Sequence, residues 1–336
     1  MPNMLVSKVF VAKFGEELKA VAAAEGASVE FVTLPDADGA RMSAEDCRRI
    51  DAAYIDRDIR FHDQWYPAFG AAVSAAGNLK WLHFVSSGIS QHKFVPALVE
   101  RGVKLTTSTG SNAEPVAQTG FTGLMMLARG FPGFIIGQRL HEWRPQRGAA
   151  VPPDVRGQTV VIIGMGSIGK IFAGYCQAFG MKVIGVRRSP LQPGDPVDEM
   201  QPVAKLAEVL PRADWVVIAC PLTKETRHLI SADMLKRMKP SARLINVARG
   251  EVVDEEALIE ALKNKTIAGA HLDVTTQEPL PAESPLWDMP NVIVTPHNAS
   301  ASAGNDRRGV DILKGNFGRW LRGESMVNEV QPGADD

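Results

Sequence analysis

Cysteine is scarce in this chain. Of 336 residues three are cysteine, Cys47, Cys176 and Cys220, with no C-x-x-C or zinc-like spacing. That excludes a disulfide framework and a cysteine-built metal site, and it points to reduced structural thiols in a reducing compartment. An excess of charge is missing too. The formal net charge of -1 leaves no electrostatic footprint for nucleic acid or for an acidic membrane surface. Long apolar runs are also absent. Lys8 and Lys13 interrupt the opening "MPNMLVSKVFVAKFGEEL", so it reads as a first strand rather than a secretory leader. Arg129 and Pro132 break the most apolar stretch, "FTGLMMLARGFPGFIIG", which is therefore no membrane span. There is no internal repeat and no low-complexity tract. The expectation is a cytoplasmic protein. With 45% hydrophobic and 22% charged residues, it is long enough for two domains, each with a core of its own.

The chain divides in three. Up to about residue 107, "KVFVA", "SVEFVTL", "AAYID", "LKWLHFV" and "VKLTTS" read as strands separated by helical patterns, which argues for a parallel sheet covered by helices. A long helical segment follows, "AEPVAQTGFTGLMMLARGFPGFIIGQRLHEW", whose proline and glycines imply a kink or break. From Thr159 a second α/β series begins with six strand candidates: "TVVIIG", "KVIGV", "WVVIAC", "RLINVA", "IAGAHLDV" and "VIVTPH". Most are unbroken apolar runs, as expected of strands buried on both faces. One amphipathic helix after His297 could return to the first domain and make it discontinuous. The expected boundaries are 1–107 with 299–336 for one domain and 108–298 for the other.

"TVVIIGMGSIGK" places G-x-G-x-x-G at Gly164, Gly166 and Gly169 between a strand and a helix. That is the context in which the pattern binds a dinucleotide. The first glycine makes the tight turn, the second admits the pyrophosphate and the third lets helix and strand pack closely, while free N–H groups at the helix start attract phosphate. What is missing is the acidic residue, about 20 positions on, that would bond the ribose 2′-hydroxyl. "VIGVRRSP" offers Arg187, Arg188 and Ser189 instead. Arginine there accommodates a 2′-phosphate, and guanidinium pairs with phosphate through two charge-assisted bonds. The plain alternative is a solvated basic turn; the functional reading is preference for NADP(H), with NAD(H) possible.

Ligands in open α/β sheets sit outside the carboxyl ends of the strands. Three late strands end there in Arg249, Glu278 and His297. Singly these could be a surface cation, a solvated loop acid and a turn histidine. Together they form a set in which histidine can donate a proton near neutral pH, a carboxylate can orient it and favour its charged form, and arginine can fork onto a substrate carboxylate.

Taken in order, "VIIGMGSIGK", "INVARGEVVDEEALIEAL", "DVTTQEPLPAESPLWDMPNVIVTPHNAS" and the closing Asn328 to Val330 resemble the D-isomer-specific 2-hydroxyacid dehydrogenases over nearly the whole chain. The resemblance implies two Rossmann-like domains with parallel sheets, the cofactor domain inserted into a discontinuous substrate domain. It implies hydride transfer between NADP(H) and a small 2-keto or 2-hydroxy acid. Arg249 would bind substrate, His297 would be the acid/base and Glu278 would hold it. Cofactor contacts would come from Gly164, Met165, Gly166, Ser167, Ile168 and Gly169, from Arg187, Arg188 and Ser189, from Cys220, Pro221 and Thr226, and from Val247, Ala248 and Asp273. Ser87, Gly88 and Ile89 in "SSGIS" would grip the substrate carboxylate. The Arg-Arg-Ser turn is similar to that of glyoxylate/hydroxypyruvate reductases, and a homodimer is implied. The family also includes transcriptional co-repressors, so a nucleotide-sensing scaffold is the rival reading. Gln118 stands where the family usually has glutamate and receives no role. Thr275 and Thr276 replace a Phe-rich loop start, and Lys265 occupies a turn usually built with glycine.

Overall fold

A computed structural model describes residues 1–35, 41–86, 88–89, 91–148 and 151–330. The chain splits into two compact units, Met1–Ser111 with Ala303–Asp336, and Asn112–Ser302. The division falls a few residues beyond each boundary expected from the sequence.

The first unit carries strands β1 (Asn3–Val6), β2 (Glu30–Thr33), β3 (Ala52–Ile55), β4 (Trp81–Phe84) and β5 (Lys104–Thr107). They pair in the order β2-β1-β3-β4-β5, all parallel. Alternate residues feed opposite cores: Leu5, Ala53, Ile55, Leu82 and Phe84 one face, Met4, Val6, Ala52, Tyr54 and Trp81 the other. Helix Asn305–Leu321 completes the second face with Val310, Leu313 and Phe317, and Phe317 stacks on Trp81 at 6.3 Å between ring centroids. Its polar side ties to helix Lys8–Ala24, where Glu17 accepts from Arg307 and Lys314, each at 2.7 Å. The arginine, then the lysine, hold Glu17 down at about 2. The chain's last helix thus belongs with its first sheet.

"KVFVA" is helix, not strand. Ser7 accepts the Phe10 N–H at 2.9 Å as an N-cap, and Asp56 fixes Ser7 by accepting its N–H at 2.9 Å. Phe10, Leu18 and Ala22 then fall on one buried stripe. Capping and an i, i+4 apolar face outweigh the β-branched composition. The strand lies just upstream.

The second unit holds β6 (Thr159–Ile163), β7 (Lys182–Val186), β8 (Glu199–Gln201), β9 (Trp215–Ile218), β10 (Arg243–Asn246), β11 (Gly269–Leu272) and β12 (Val292–Val294). Their order is β12-β11-β10-β9-β6-β7-β8, parallel throughout. This is the doubly wound dinucleotide-binding order with one added strand, and its switch point lies between β6 and β9. Val161, Ile163, Val216 and Ile218 point into one core, and Val160, Ile162, Trp215 and Val217 into the other. The unbroken apolar runs reflect this two-sided burial. β8, with no apolar run to mark it in the sequence, is an edge strand held by pairing to β7.

The long helical segment breaks at Gly130, φ +73°, into Ala113–Ala128 and Phe131–Arg139, bent by 74°. Among the described residues no single helix is long and apolar enough to cross a membrane, and no three His, Cys, Asp or Glu side chains converge as metal ligands.

Candidate active site

The glycine loop leaves β6 at the switch point and enters helix Ser167–Ala178. Its three glycines answer to different constraints. Gly164 has φ +99°, and a Cβ there would lie 2.5 Å from the Cys220 nitrogen. At Gly169 a Cβ would lie 2.0 Å from the Gly164 carbonyl oxygen, so the helix could not approach the strand. At Gly166 a Cβ would meet nothing within 4 Å, and φ is not in the left-handed region. Nothing in the protein's own packing requires glycine there. A ligand approaching the backbone would. The helix begins at Gly166 with no side-chain cap, so its first N–H groups and the positive end of its dipole are available to a phosphate. These residues fit a dinucleotide. Met165 is buried and contributes its backbone to the loop.

Beyond β7, Arg187, expected among the cofactor contacts, is bonded within its own loop. Its Nη1 and Nη2 donate to Asp195 at 3.0 and 2.5 Å. Nη2 also donates to the Pro190 carbonyl at 2.5 Å, and Nε to the Ser189 carbonyl at 3.1 Å. A guanidinium has five N–H donors, and these four bonds leave no fork for a phosphate. Arg188 and Ser189 are exposed. Arg188 adds its charge to the field around Glu225, which is held below its ordinary range first by the Thr223 hydroxyl. That places Arg188 close to the "CPLTKET" turn. The turn is closed by Thr226, which donates to the Pro221 carbonyl at 2.7 Å and accepts the Thr223 N–H at 2.7 Å. Burial pushes the Cys220 thiol up to about 11, so it stays neutral.

Neighbouring parallel strands bring the three expected catalytic residues to one edge of the sheet. Asn246 pairs with Leu272 and Leu272 with Val294, so β10, β11 and β12 end in register, with Arg249, Glu278 and His297 just beyond. Asn246, which is buried, shapes the first turn: its side chain donates to the Arg249 carbonyl at 2.9 Å and accepts the Ala248 N–H at 3.1 Å. Val247 and Ala248 are buried in that turn, and Arg249 is exposed. At Gly250 a Cβ would lie 2.1 Å from the Thr275 carbonyl carbon. Only glycine lets the Arg249 turn sit against the Glu278 loop. The Thr275 N–H then donates to Glu278 Oε1 at 3.2 Å, and Glu278 Oε2 lies 2.6 Å from His297 Nδ1. Both side chains of that pair reach solvent, His297 46% and Glu278 37% exposed. A carboxylate on Nδ1 leaves Nε2 as the nitrogen facing a reactant.

Asp273, expected among the cofactor contacts, has a buried side chain bonded within its own neighbourhood. Oδ1 accepts from the Thr295 hydroxyl at 2.6 Å and from the Asn298 N–H at 3.1 Å, while Oδ2 accepts from the Ala299 N–H at 3.0 Å. It clasps the turn that presents His297. Sequence reading missed Asn246, Gly250, Thr275 and Thr295 in these supporting roles. The glycine directly after Arg249 was the available signal.

In the first unit, Gly88 accepts at its carbonyl from Ser86 and Gln91 side chains at 2.9 and 3.0 Å, and Ile89 is buried. Ser87 lies outside the described residues.

The sequence model of the D-isomer specific 2-hydroxyacid dehydrogenase NAD binding domain matches residues 121–299. The chain belongs to this family. Membership carries the reaction class, hydride transfer between a nicotinamide cofactor and a 2-hydroxy or 2-keto acid. Among its relatives is a glyoxylate reductase of Korarchaeum cryptofilum, 37% identical over 70% of this chain and 71% of its own length. Two solved family structures cover 98% of the chain. The Xanthobacter autotrophicus enzyme in complex with NADPH and MES is 30% identical over 98% of its length, TM-score 0.70. The NADPH-dependent glyoxylate/hydroxypyruvate reductase of Sinorhizobium meliloti, with NADP and malonate, is 28% identical over 96%, TM-score 0.66.

Proposed function

We propose that this protein is an NADP(H)-dependent, D-specific reductase of small 2-keto acids of the glyoxylate and hydroxypyruvate type. The observation that carries the reading is the 2.6 Å Glu278–His297 pair, on the same sheet edge as an exposed arginine and a glycine loop whose middle glycine faces open space. The nicotinamide supplies the hydride when bound. Pyrophosphate would rest on the N–H groups of Ser167 and Ile168 with Gly164, Gly166 and Gly169 around it. Arg188 and Ser189 would take the 2′-phosphate, and Pro221, Thr226, Val247 and Ala248 would line the rest of the site. Arg249 would fork onto the substrate carboxylate and polarise its carbonyl. His297, protonated, would donate from Nε2 to the carbonyl oxygen as the carbon is reduced. Glu278 stabilises the imidazolium before transfer and fixes the ring afterwards. Reduction therefore requires a proton on Nε2 at the moment the hydride arrives. In the first unit, Gly88 and Ile89 are the proposed backbone donors to the carboxylate.

Two features support the physiological setting. All three cysteines are free and buried, as suits a reducing cytoplasm. Phe131, Phe134, Ile135, Ile136, Leu140 and Trp143 form an exposed apolar run, which supports a homodimer.

Oxidation of NADPH and of NADH against a panel of 2-keto acids tests the reading. Turnover of small keto acids with NADPH preferred is the expected result. Binding of both cofactors with no turnover of any acid would favour the nucleotide-sensing scaffold.

A further inference from the structure

Residues 187–195, "RRSPLQPGD", form a turn with no apolar anchor. Its one large apolar side chain, Leu191, is exposed, and two prolines and Gly194 at φ +84° set its course. Such a loop keeps one shape only if polar bonds hold it. Those bonds converge on one carboxylate. The Asp195 side chain is 0% exposed although it lies in a surface turn. It accepts from both terminal nitrogens of Arg187 and from the Gln192 N–H at 2.8 Å, and Lys170 Nζ lies 3.0 Å away. Arg187 in turn reaches back to the Ser189 and Pro190 carbonyls. Carboxylate, guanidinium and three backbone groups thus close a ring across the loop, and its donors hold Asp195 far below the ordinary carboxylate range, Arg187 foremost.

Asp195 might be taken for the missing ribose-binding acid, displaced along the chain. Its burial rules that out, since a covered carboxylate already bonded to two cations has no lone pair to offer a hydroxyl. Nor does it cancel the basic character of the loop. Asp195 faces Arg187 and Lys170, and Arg188 stands in the field of Glu225, so three cations meet two anions and the neighbourhood stays positive.

We propose that Asp195 is a positioning residue for cofactor choice: by holding Arg187 as a cross-brace, it presents Arg188 and Ser189 to the adenosine 2′-phosphate. This rests on the NADP(H) reading above. It inverts the usual expectation for an acid near a phosphate site, because removing the negative charge should weaken NADPH rather than strengthen it.

Wild type, Arg188→Ala, Asp195→Asn, Arg187→Ala and the double variant Arg187→Ala with Asp195→Asn are compared for kcat/KM with each cofactor and for Tm. Asn keeps the volume and one acceptor, which guards against simple misfolding. Asp195→Asn should raise KM for NADPH by about tenfold, the scale of one charge-assisted bond, with kcat kept and NADH affected far less. The double variant should be no worse than either single one, because the two residues act as one brace. A gain in NADPH preference in Asp195→Asn overturns the proposal, as does an equal loss with both cofactors together with a lowered Tm, or additive losses in the double variant. If wild type itself prefers NADH, the NADP(H) reading fails first. If wild type prefers NADPH and Arg188→Ala abolishes that preference while Asp195→Asn does not, the brace alone fails.

Discussion

His297 holds a left-handed backbone conformation, φ +48°, which costs energy for a residue bearing a Cβ. Its N–H is kept in place by the Asp273 and Thr295 carbonyls at 2.8 and 3.0 Å. Asparagine tolerates the same conformation, so His297→Asn should fold normally yet lose roughly 10²–10⁴-fold in kcat, the usual worth of a positioned acid. Single-turnover rates of keto-acid reduction would check this, and near-normal turnover would remove His297 from the mechanism. A different histidine contributes to acid stability. His83 is buried between the Thr106 and Ser108 hydroxyls at 2.6 and 3.0 Å, and burial lowers it from 6.5 to about 3. The folded chain keeps this ring neutral while the unfolded chain protonates it. Its contribution is thus complete above pH 6.5 and fades as pH falls toward 3, at about 1.4 kcal/mol per pH unit. In melts across that window, His83→Gln should show a shallower fall in Tm than wild type, whatever stability it loses at neutral pH.

At the scale of elements, the glycine loop separates folding from binding. Gly164→Ala forces a side chain against the backbone of Ala219 and Cys220 at positive φ, so Tm should drop. Gly166→Ala meets no protein atom, so Tm should hold while nicotinamide affinity falls at least tenfold, about 1.4 kcal/mol. Thermal melts beside fluorescence titration would read both. A cofactor-binding loss in Gly166→Ala that merely tracked a lower Tm would refute the assignment. The loop was legible in the sequence because strand, glycines and helix are contiguous. So were Arg249, Glu278 and His297, each just past an apolar run. Less legible were the pieces that depend on distant partners. "KVFVA" has strand composition, and only the Ser7 cap and the buried Asp56 behind it decide for helix. Arg187 carries the right charge in the right place, but Asp195, eight residues on, takes its fork. Asp273 sits at a strand end like a ligand contact, yet its acceptors turn toward Thr295, Asn298 and Ala299. In each case the deciding hydrogen bond comes from a residue outside the local pattern.

For the whole molecule, the two parallel sheets were readable because burial on both faces leaves runs with no polar alternation. The chain's return to its first sheet was readable from one amphipathic helix. The proposed homodimer rests on a different kind of signal. Trp143 is 95% exposed beside a helix that presents Phe134, Ile135 and Ile136 to solvent. Light scattering should give the mass of a dimer, and Ile136→Asp with Trp143→Ser should shift it to monomer. A wild-type monomer at micromolar concentration would refute the dimer. The turn from Arg187 to Asp195 has a consequence of another sort. It is braced by its own side chains and adds no large apolar group to either core of its unit. On the proposed reading, redox currency and thermal robustness are separately heritable: a lineage could exchange this short segment, and with it the reductant pool it draws on, without renegotiating how the protein folds.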